Sequence, residues 1–231
     1  MTILLTRPRS DSERIAAMLS QDEVPVMIWP LTEIVFFDDV VPQNAQALAF
    51  SSGNAVRGFA RLTEQRSGTA YCIGKRTAEI ATQVGFADVR NAEGDFNALL
   101  ALLTKTAPDG LHYVRGEDVA ADLPAALTRC GVMCTEQIVY AARPAAPPEP
   151  EVAEALGQGA IRVITVWSRR NALLLAESLK AHPEWEISKT SVVAISDNAA
   201  QPLGTLGFRR IIVVSRPNAT QMIAGIRAAL R

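Results

Sequence analysis

Long hydrophobic runs are missing from this 231-residue chain. No stretch approaches the ~18 apolar residues a helix needs to cross a bilayer, so no membrane partner is expected. Histidine and cysteine are scarce, at two and three. Cys72, Cys130 and Cys134 cannot all pair, which excludes a complete disulfide framework. His112 and His182 lack the spacing of metal ligands, and Cys130 with Cys134 lacks companions. No metal is expected, and the cysteines read as small buried apolar residues. Excess charge of one sign is also lacking: 23 Lys and Arg against 24 Asp and Glu leave −1. Nothing global draws nucleic acid or an anionic membrane. An anionic ligand must be held by a local site.

Signature motifs are absent too. There is no Gly-x-x-x-x-Gly-Lys-Ser/Thr, and no Gly-x-Gly-x-x-Gly after the first strand. Gly157-Gln158-Gly159 precedes a strand and reads as a turn. No serine sits in a nucleophile elbow. The first strand lacks the clustered acids of a phospho-acceptor module, and Asp38-Asp39 read as solvated turn residues. Neither hydrolysis nor redox chemistry is advertised. The opening Met1-Thr2-Ile3-Leu4-Leu5-Thr6-Arg7-Pro8 reads as a β-strand rather than a signal peptide, which makes the cytoplasm the expected location.

What is present is alternation. Hydrophobic residues at 48% suffice for ordinary cores. Short apolar runs at 3–6, 26–29, 47–50, 70–73, 111–114, 162–166, 191–195 and 211–214 read as strands covered on both faces. Between them lie amphipathic segments such as Val56, Phe59, Leu62 and Met222, Ile223, Ile226, Leu230. Strand, helix, strand in repetition implies parallel sheets, and the fold class is α/β. Segments 32–37 and 137–144 break the rhythm beside Pro30 and the prolines 144, 147, 148 and 150. They read as two linker strands. The unit between them, 38–136, is then a second α/β lobe inserted into a first made of 1–31 and 145–231.

An internal echo supports two similar, flavodoxin- or Rossmann-like lobes. Gly74-Lys75-Arg76-Thr77, running on to Val84-Gly85-Phe86, aligns without gaps to Ser196-Asp197-Asn198-Ala199, running on to Leu206-Gly207-Phe208. Likewise Phe50-Ser51-Ser52-Gly53-Asn54-Ala55 resembles Trp167-Ser168-Arg169-Arg170-Asn171-Ala172.

Ligands of open parallel sheets bind beyond the strand carboxyl ends, where helix N-termini offer amides. Small polar residues recur there: Thr6-Arg7, Ser51-Ser52, Gly74 with Thr77, Arg115-Gly116, Ser168, Ser196 and Ser215-Arg216. Each also suits a helix N-cap. Several such termini across two lobes point to a cleft rich in N–H donors.

The ordered set Leu4-Leu5-Thr6-Arg7-Pro8, Phe50-Ser51-Ser52-Gly53-Asn54-Ala55-Val56, Ile73-Gly74-Lys75-Arg76-Thr77-Ala78, Arg115-Gly116, Ile138-Val139-Tyr140, Val166-Trp167-Ser168 and Pro217-Asn218-Ala219-Thr220 resembles the uroporphyrinogen-III synthase family. The likeness runs along essentially the whole chain. It implies two α/β lobes joined by a two-stranded linker, and an enzyme without metal or organic cofactor. The implied reaction takes hydroxymethylbilane, expels its terminal hydroxyl as water, inverts ring D and closes the macrocycle to uroporphyrinogen III. Closure of the lobes about the linker is expected to shield the reactive cation from water. By the same resemblance Tyr140 assists departure of the hydroxyl. Thr77 meets a substrate carboxylate, with Ser52, Asn54, Gly74, Ser168, Arg7 and Arg115 as further substrate contacts. Ala199 and Ser196 depart from the family pattern in the other lobe. The implied partners are the small-molecule substrate and, transiently, the preceding enzyme of the pathway, with a monomer as the expected state. Two other readings stay open: a non-catalytic, two-lobed intracellular binding protein for an anionic small molecule, and a receiver-like module acting through protein partners.

Overall fold

The computed structural model describes residues 1–39, 45–119 and 121–231. In chain order, β1 (Thr2–Leu5), α1 (Arg9–Met18) and β2 (Val26–Ile28) come first. Next are β3 (Thr32–Phe36), β4 (Ala47–Phe50), α2 (Gly53–Leu62), β5 (Thr69–Cys72), α3 (Lys75–Gln83) and β6 (Asp88–Asn91). They are followed by α4 (Phe96–Thr106), β7 (Leu111–Gly116), α5 (Leu123–Arg129) and β8 (Cys134–Pro144). The chain ends with α6 (Pro150–Gly157), β9 (Ile161–Val166), α7 (Arg169–Ala181), β10 (Ser191–Ala194), α8 (Asp197–Ala200), β11 (Arg210–Val213) and α9 (Ala219–Leu230). None of the described helices is long and apolar enough to cross a membrane.

The chain divides into two compact units. A terminal unit comprises Met1–Glu33 with Arg143–Arg231, and an inserted unit comprises Ile34–Ala142. The terminal unit holds a parallel sheet in the order β2-β1-β9-β10-β11. The inserted unit is built on the order β3-β8-β7-β4-β5-β6, with β8, β7, β4, β5 and β6 parallel in succession. Both sheets are α/β and wound in two directions from an inner pair of strands.

Alternation along each strand sets the cores, because successive side chains face opposite sides of a sheet. In the terminal unit Leu4, Ile164, Val192 and Ala194 pack with Leu175 and Leu203 on one face. Ile3, Leu5, Val163 and Val193 pack with Met222 and Ile226 on the other. In the inserted unit Leu48, Phe50, Ala70 and Cys72 meet Val56, Phe59 and Phe86, while Ala47, Ala49 and Tyr71 meet Leu99, Leu103 and Leu127.

Three features differ from the sequence reading or refine it. Strand β6 has no counterpart among the expected strands: it is the polar edge segment Asp88-Val89-Arg90-Asn91, so it lacks the apolar run of a central strand. Strand β8 starts at Cys134, ahead of the expected linker at 137. Its register against β7 carries Cys134 opposite Leu111 through to Tyr140 opposite Gly116, which makes it a full member of the sheet. The resemblance of 50–55 to 167–172 is refined by one residue at the caps. Ser52, and not Ser51, is the N-cap counterpart of Ser168. The other echo holds in detail. Gly74 and Ser196 are both extended N-caps, at φ −162 and −164, and Gly85 and Gly207 both take positive φ, +107 and +81.

Candidate active site

Each sheet changes winding direction at one place. In the terminal unit, β1 leads by α1 to β2 on one side and β9 leads by α7 to β10 on the other, so the switch lies between β1 and β9. In the inserted unit it lies between β4 and β7. The carboxyl ends of strands at such points open a crevice in which α/β proteins bind ligands.

At the inserted unit's switch, two adjacent serines follow β4 and face opposite sides of the sheet. Ser51 accepts a hydrogen bond from the Tyr113 hydroxyl at 2.9 Å. Ser52 caps α2, its Oγ accepting from the Ala55 N–H at 3.1 Å, and the same Oγ lies 2.9 Å from the Tyr140 hydroxyl. Tyr140 comes from β8, and its ring is 6.5 Å from Phe36 of β3. Burial pushes its phenol up from the ordinary value, with Asp118 acting the same way and the Ser52 hydrogen bond opposing. Burial raises the Tyr113 phenol as well. Both are neutral proton donors at pH 7.

The tyrosine ring rests against Gly116, where a Cβ would lie 2.5 Å from Tyr140 Cζ. Arg115 braces this turn. It holds Glu136 through Nε at 2.7 Å and Nη2 at 3.2 Å. Its Nη1 donates to the carbonyls of Gly116 at 2.9 Å and Glu117 at 3.2 Å. All three guanidinium nitrogens thus have protein partners.

On the neighbouring strand of this unit, Gly74 is the N-cap of α3 and Thr77 closes its first turn. Thr77 is only 5% exposed, and its hydroxyl makes no hydrogen bond among the described residues. Gly74 and Lys75 line a cleft with Asn91, Glu93 and Gly94. Asn54, in the first turn of α2, accepts from Arg57 Nη1 at 3.0 Å.

The terminal unit's switch is organised differently. Ser168 caps α7, accepting from the Asn171 N–H at 3.1 Å. Asn171 donates to the Thr6 carbonyl at 3.0 Å and accepts from the Trp167 N–H at 3.4 Å, tying the ends of β1 and β9 together. Arg7 lies over Trp167, 4.7 Å from the ring centroid, and is pinned by Asp11 at 2.7 Å.

Of the expected site residues, then, Ser52 and Tyr140 touch, and Gly74 and Thr77 share one helix start. Ser168 and Arg7 stand at the switch of the other unit, Asn54 is paired with Arg57, and Arg115 is engaged by Glu136 and backbone. Tyr113 was not anticipated; its only signal is its place near the carboxyl end of the strand beside β4. Among the described residues no group of three or more His, Cys, Asp or Glu could hold a metal ion. The arrangement offers a half-buried, protonated phenol backed by a hydroxyl, with helix N-termini that suit carboxylates.

Comparison with known proteins bears on the family and the fold. The family model described as uroporphyrinogen-III synthase HemD matches residues 13–224. No curated protein sequence gives a match. Among solved structures, uroporphyrinogen-III synthetase from Helicobacter pylori is similar at TM-score 0.61 and 16% identity, over 100% of this chain and 99% of that one. A mutant uroporphyrinogen III synthase from the extremely thermophilic bacterium Thermus thermophilus is similar at TM-score 0.53 and 17% identity, over 100% and 99%. At such identities the structural likeness is one of fold, and the family model carries the assignment. With 13–224 of its 231 residues matched, the chain belongs to the uroporphyrinogen-III synthase family.

Proposed function

We propose that this chain dehydrates hydroxymethylbilane and closes it, with ring D inverted, to uroporphyrinogen III. Tyr140 is the proton donor to the departing hydroxyl. The observation that carries this reading is the pair Ser52 and Tyr140, 2.9 Å apart at the switch point of the inserted unit. A phenol, already protonated at pH 7 and pushed further up by partial burial, delivers its proton to an oxygen that leaves as water.

The remaining work is orientation. The linear substrate is intrinsically reactive once its hydroxyl has gone, so the protein decides which ring-D carbon meets the electrophile. Holding a near-attack geometry supplies up to roughly 7–11 kcal/mol. Thr77 and the amides that follow Gly74 bind one substrate carboxylate, supported by their place at the N-terminus of α3. The α7 terminus at Ser168, with Arg7 beside it, binds another in the terminal unit. Arg115 acts by bracing the turn at Gly116, since its nitrogens are already engaged.

The test supplies hydroxymethylbilane and measures the type III to type I product ratio after oxidation. Type III in excess is the expected result. Type I alone at the uncatalysed rate would leave only a binding role. Tyr140→Phe is expected to lower turnover on the order of 100-fold with the fold intact, the lower end of what general acids contribute.

A further inference from the structure

We propose that Ser52 is a positioning residue for the reaction, a hydroxyl donor that receives the charge left on Tyr140 when its proton departs. This rests on the reading of Tyr140 as the proton donor.

The case starts from counting hydrogens. Ser52 Oγ accepts the Ala55 N–H at 3.1 Å, which occupies one lone pair and leaves its own hydrogen free to turn. Its other neighbour is Tyr140 Oη at 2.9 Å, and Ser52 is the sole hydrogen-bond partner of that phenol among the described residues. Before reaction either oxygen can be the donor. During reaction only one direction serves. The bond from substrate carbon to its terminal hydroxyl breaks, and the electron pair leaves with that oxygen. Tyr140 gives it a proton, and water departs. Tyr140 Oη then carries a negative charge in a half-buried site, where an unpaired charge is costly. The Ser52 O–H is the group placed to meet it, as a charge-assisted hydrogen bond. The proton released when ring D forms its new carbon–carbon bond restores the phenol, so the cycle consumes none.

The cap makes Ser52 better suited to this role than an isolated hydroxyl. Its oxygen is polarised by an N–H at the positive end of α2, a ten-residue helix. The sequence Ala55 N–H, Ser52 O–H, Tyr140 Oη therefore points every donor at the developing charge. The other ionisable group acting on Tyr140, Asp118, is acidic and opposes that charge. Ser52 is the group that favours it.

The experiment compares Ser52→Ala, Ser52→Thr and Ser52→Asp, each alone and with Tyr140→Phe. Threonine keeps both the cap and the donor, whereas aspartate keeps the cap and cannot donate. Expected are losses in kcat on the order of 10- to 100-fold for Ala and Asp, the worth of one hydrogen bond to a charge. KM stays unchanged, most turnover returns in Thr, and no further loss appears when Tyr140 is already Phe. A second readout needs no substrate: ultraviolet titration of the phenols, with Tyr140 assigned by subtracting the Tyr140→Phe spectrum, shifts upward in Ser52→Ala. Wild-type kcat in Ser52→Asp would reduce Ser52 to a helix cap and overturn the inference. So would an equal loss from Ser52→Ala in the Tyr140→Phe background. Should Tyr140→Phe alone leave turnover untouched, the proton-donor reading fails first, and the two failures stay distinct.

Discussion

Gly116 matters because of what surrounds it. A Cβ at this position would lie 2.5 Å from Tyr140 Cζ and 2.8 Å from Oη, well inside contact distance for such atoms. Gly116→Ala must therefore move the ring, the turn or both. The expected cost in stability is about 1–3 kcal/mol, as for other overpacked sites. The more telling outcome is kinetic. Displacing Tyr140 from Ser52 lowers turnover towards the level of Tyr140→Phe, and Gly116→Ala adds little once Tyr140 is already Phe. Steady-state turnover of the three variants checks this; full activity in folded Gly116→Ala would show that the tight contact is irrelevant to the reaction. The same residues show how much of the site was legible. Serine after a strand announces a cap by its chemistry alone, and Tyr140 stood out only through a family resemblance. The contact of Ser52 with Tyr140 was not legible, because it depends on how β8 and β4 flank β7. Nor was the engagement of Arg115 by Glu136, a pairing set by the register that puts Tyr113 opposite Glu136.

At the scale of elements, Arg66 joins two helices that share no sequence signal. Its Nη1 donates to the Thr63 carbonyl at 2.8 Å and the Gln65 carbonyl at 2.7 Å. Its Nη2 reaches Ala60 at 3.3 Å, and its Nε reaches Val84 at 2.8 Å. The guanidinium thus gathers the closing carbonyls of α2 and α3, both negative ends of helix dipoles, and lies over Phe86 at 5.7 Å. Arg66→Met is expected to destabilise the inserted unit by about 2–3 kcal/mol, the range for hydrogen bonds from a charged donor. Arg66→Lys should recover less than half, because one ammonium cannot span both helix ends. Urea unfolding followed through tyrosine signals measures it; a loss under about 0.5 kcal/mol, as for ordinary surface changes, would mark Arg66 as incidental. Helices and central strands were readable because periodicity records which face is buried. Edge strand β6 was not, since its exposed, polar residues satisfy no burial pattern. The extent of β8 was obscured for a related reason: its start at Cys134-Thr135-Glu136 is polar and partly exposed, and only pairing with β7 defines it.

For the whole molecule, buried ionisable groups are distributed unevenly. Among the described residues, those whose ionisation is opposed chiefly by burial are Cys72, His112, Tyr113, Cys134 and Tyr140. All lie in the inserted unit Ile34–Ala142. Burial holds the Cys72 thiol up from 9.0 to about 12 and the Cys134 thiol up from 9.0 to about 11. The unfolded chain therefore releases these protons first as pH rises, and stability that is intact below about pH 9 falls through the window up to 12. Cys72 alone accounts for up to roughly 4 kcal/mol of it. His112 works in the opposite direction. Burial lowers its pKa from 6.5, so its contribution is present above 6.5 and is lost as pH falls below that value. The inserted unit should thus be the pH-sensitive one on both sides. The chain supplies its own reporters: Trp29, Trp167 and Trp185 lie in the terminal unit, and Tyr71, Tyr113 and Tyr140 in the inserted unit. Denaturant titrations at neutral pH and at about pH 10 should coincide more closely at neutral pH. At the higher pH the tyrosine-reported midpoint should drop while the tryptophan-reported midpoint holds, and Cys72→Ala should shrink that separation. A tryptophan midpoint that falls first, or equally, would mean that the burial of these five groups does not govern how the molecule comes apart.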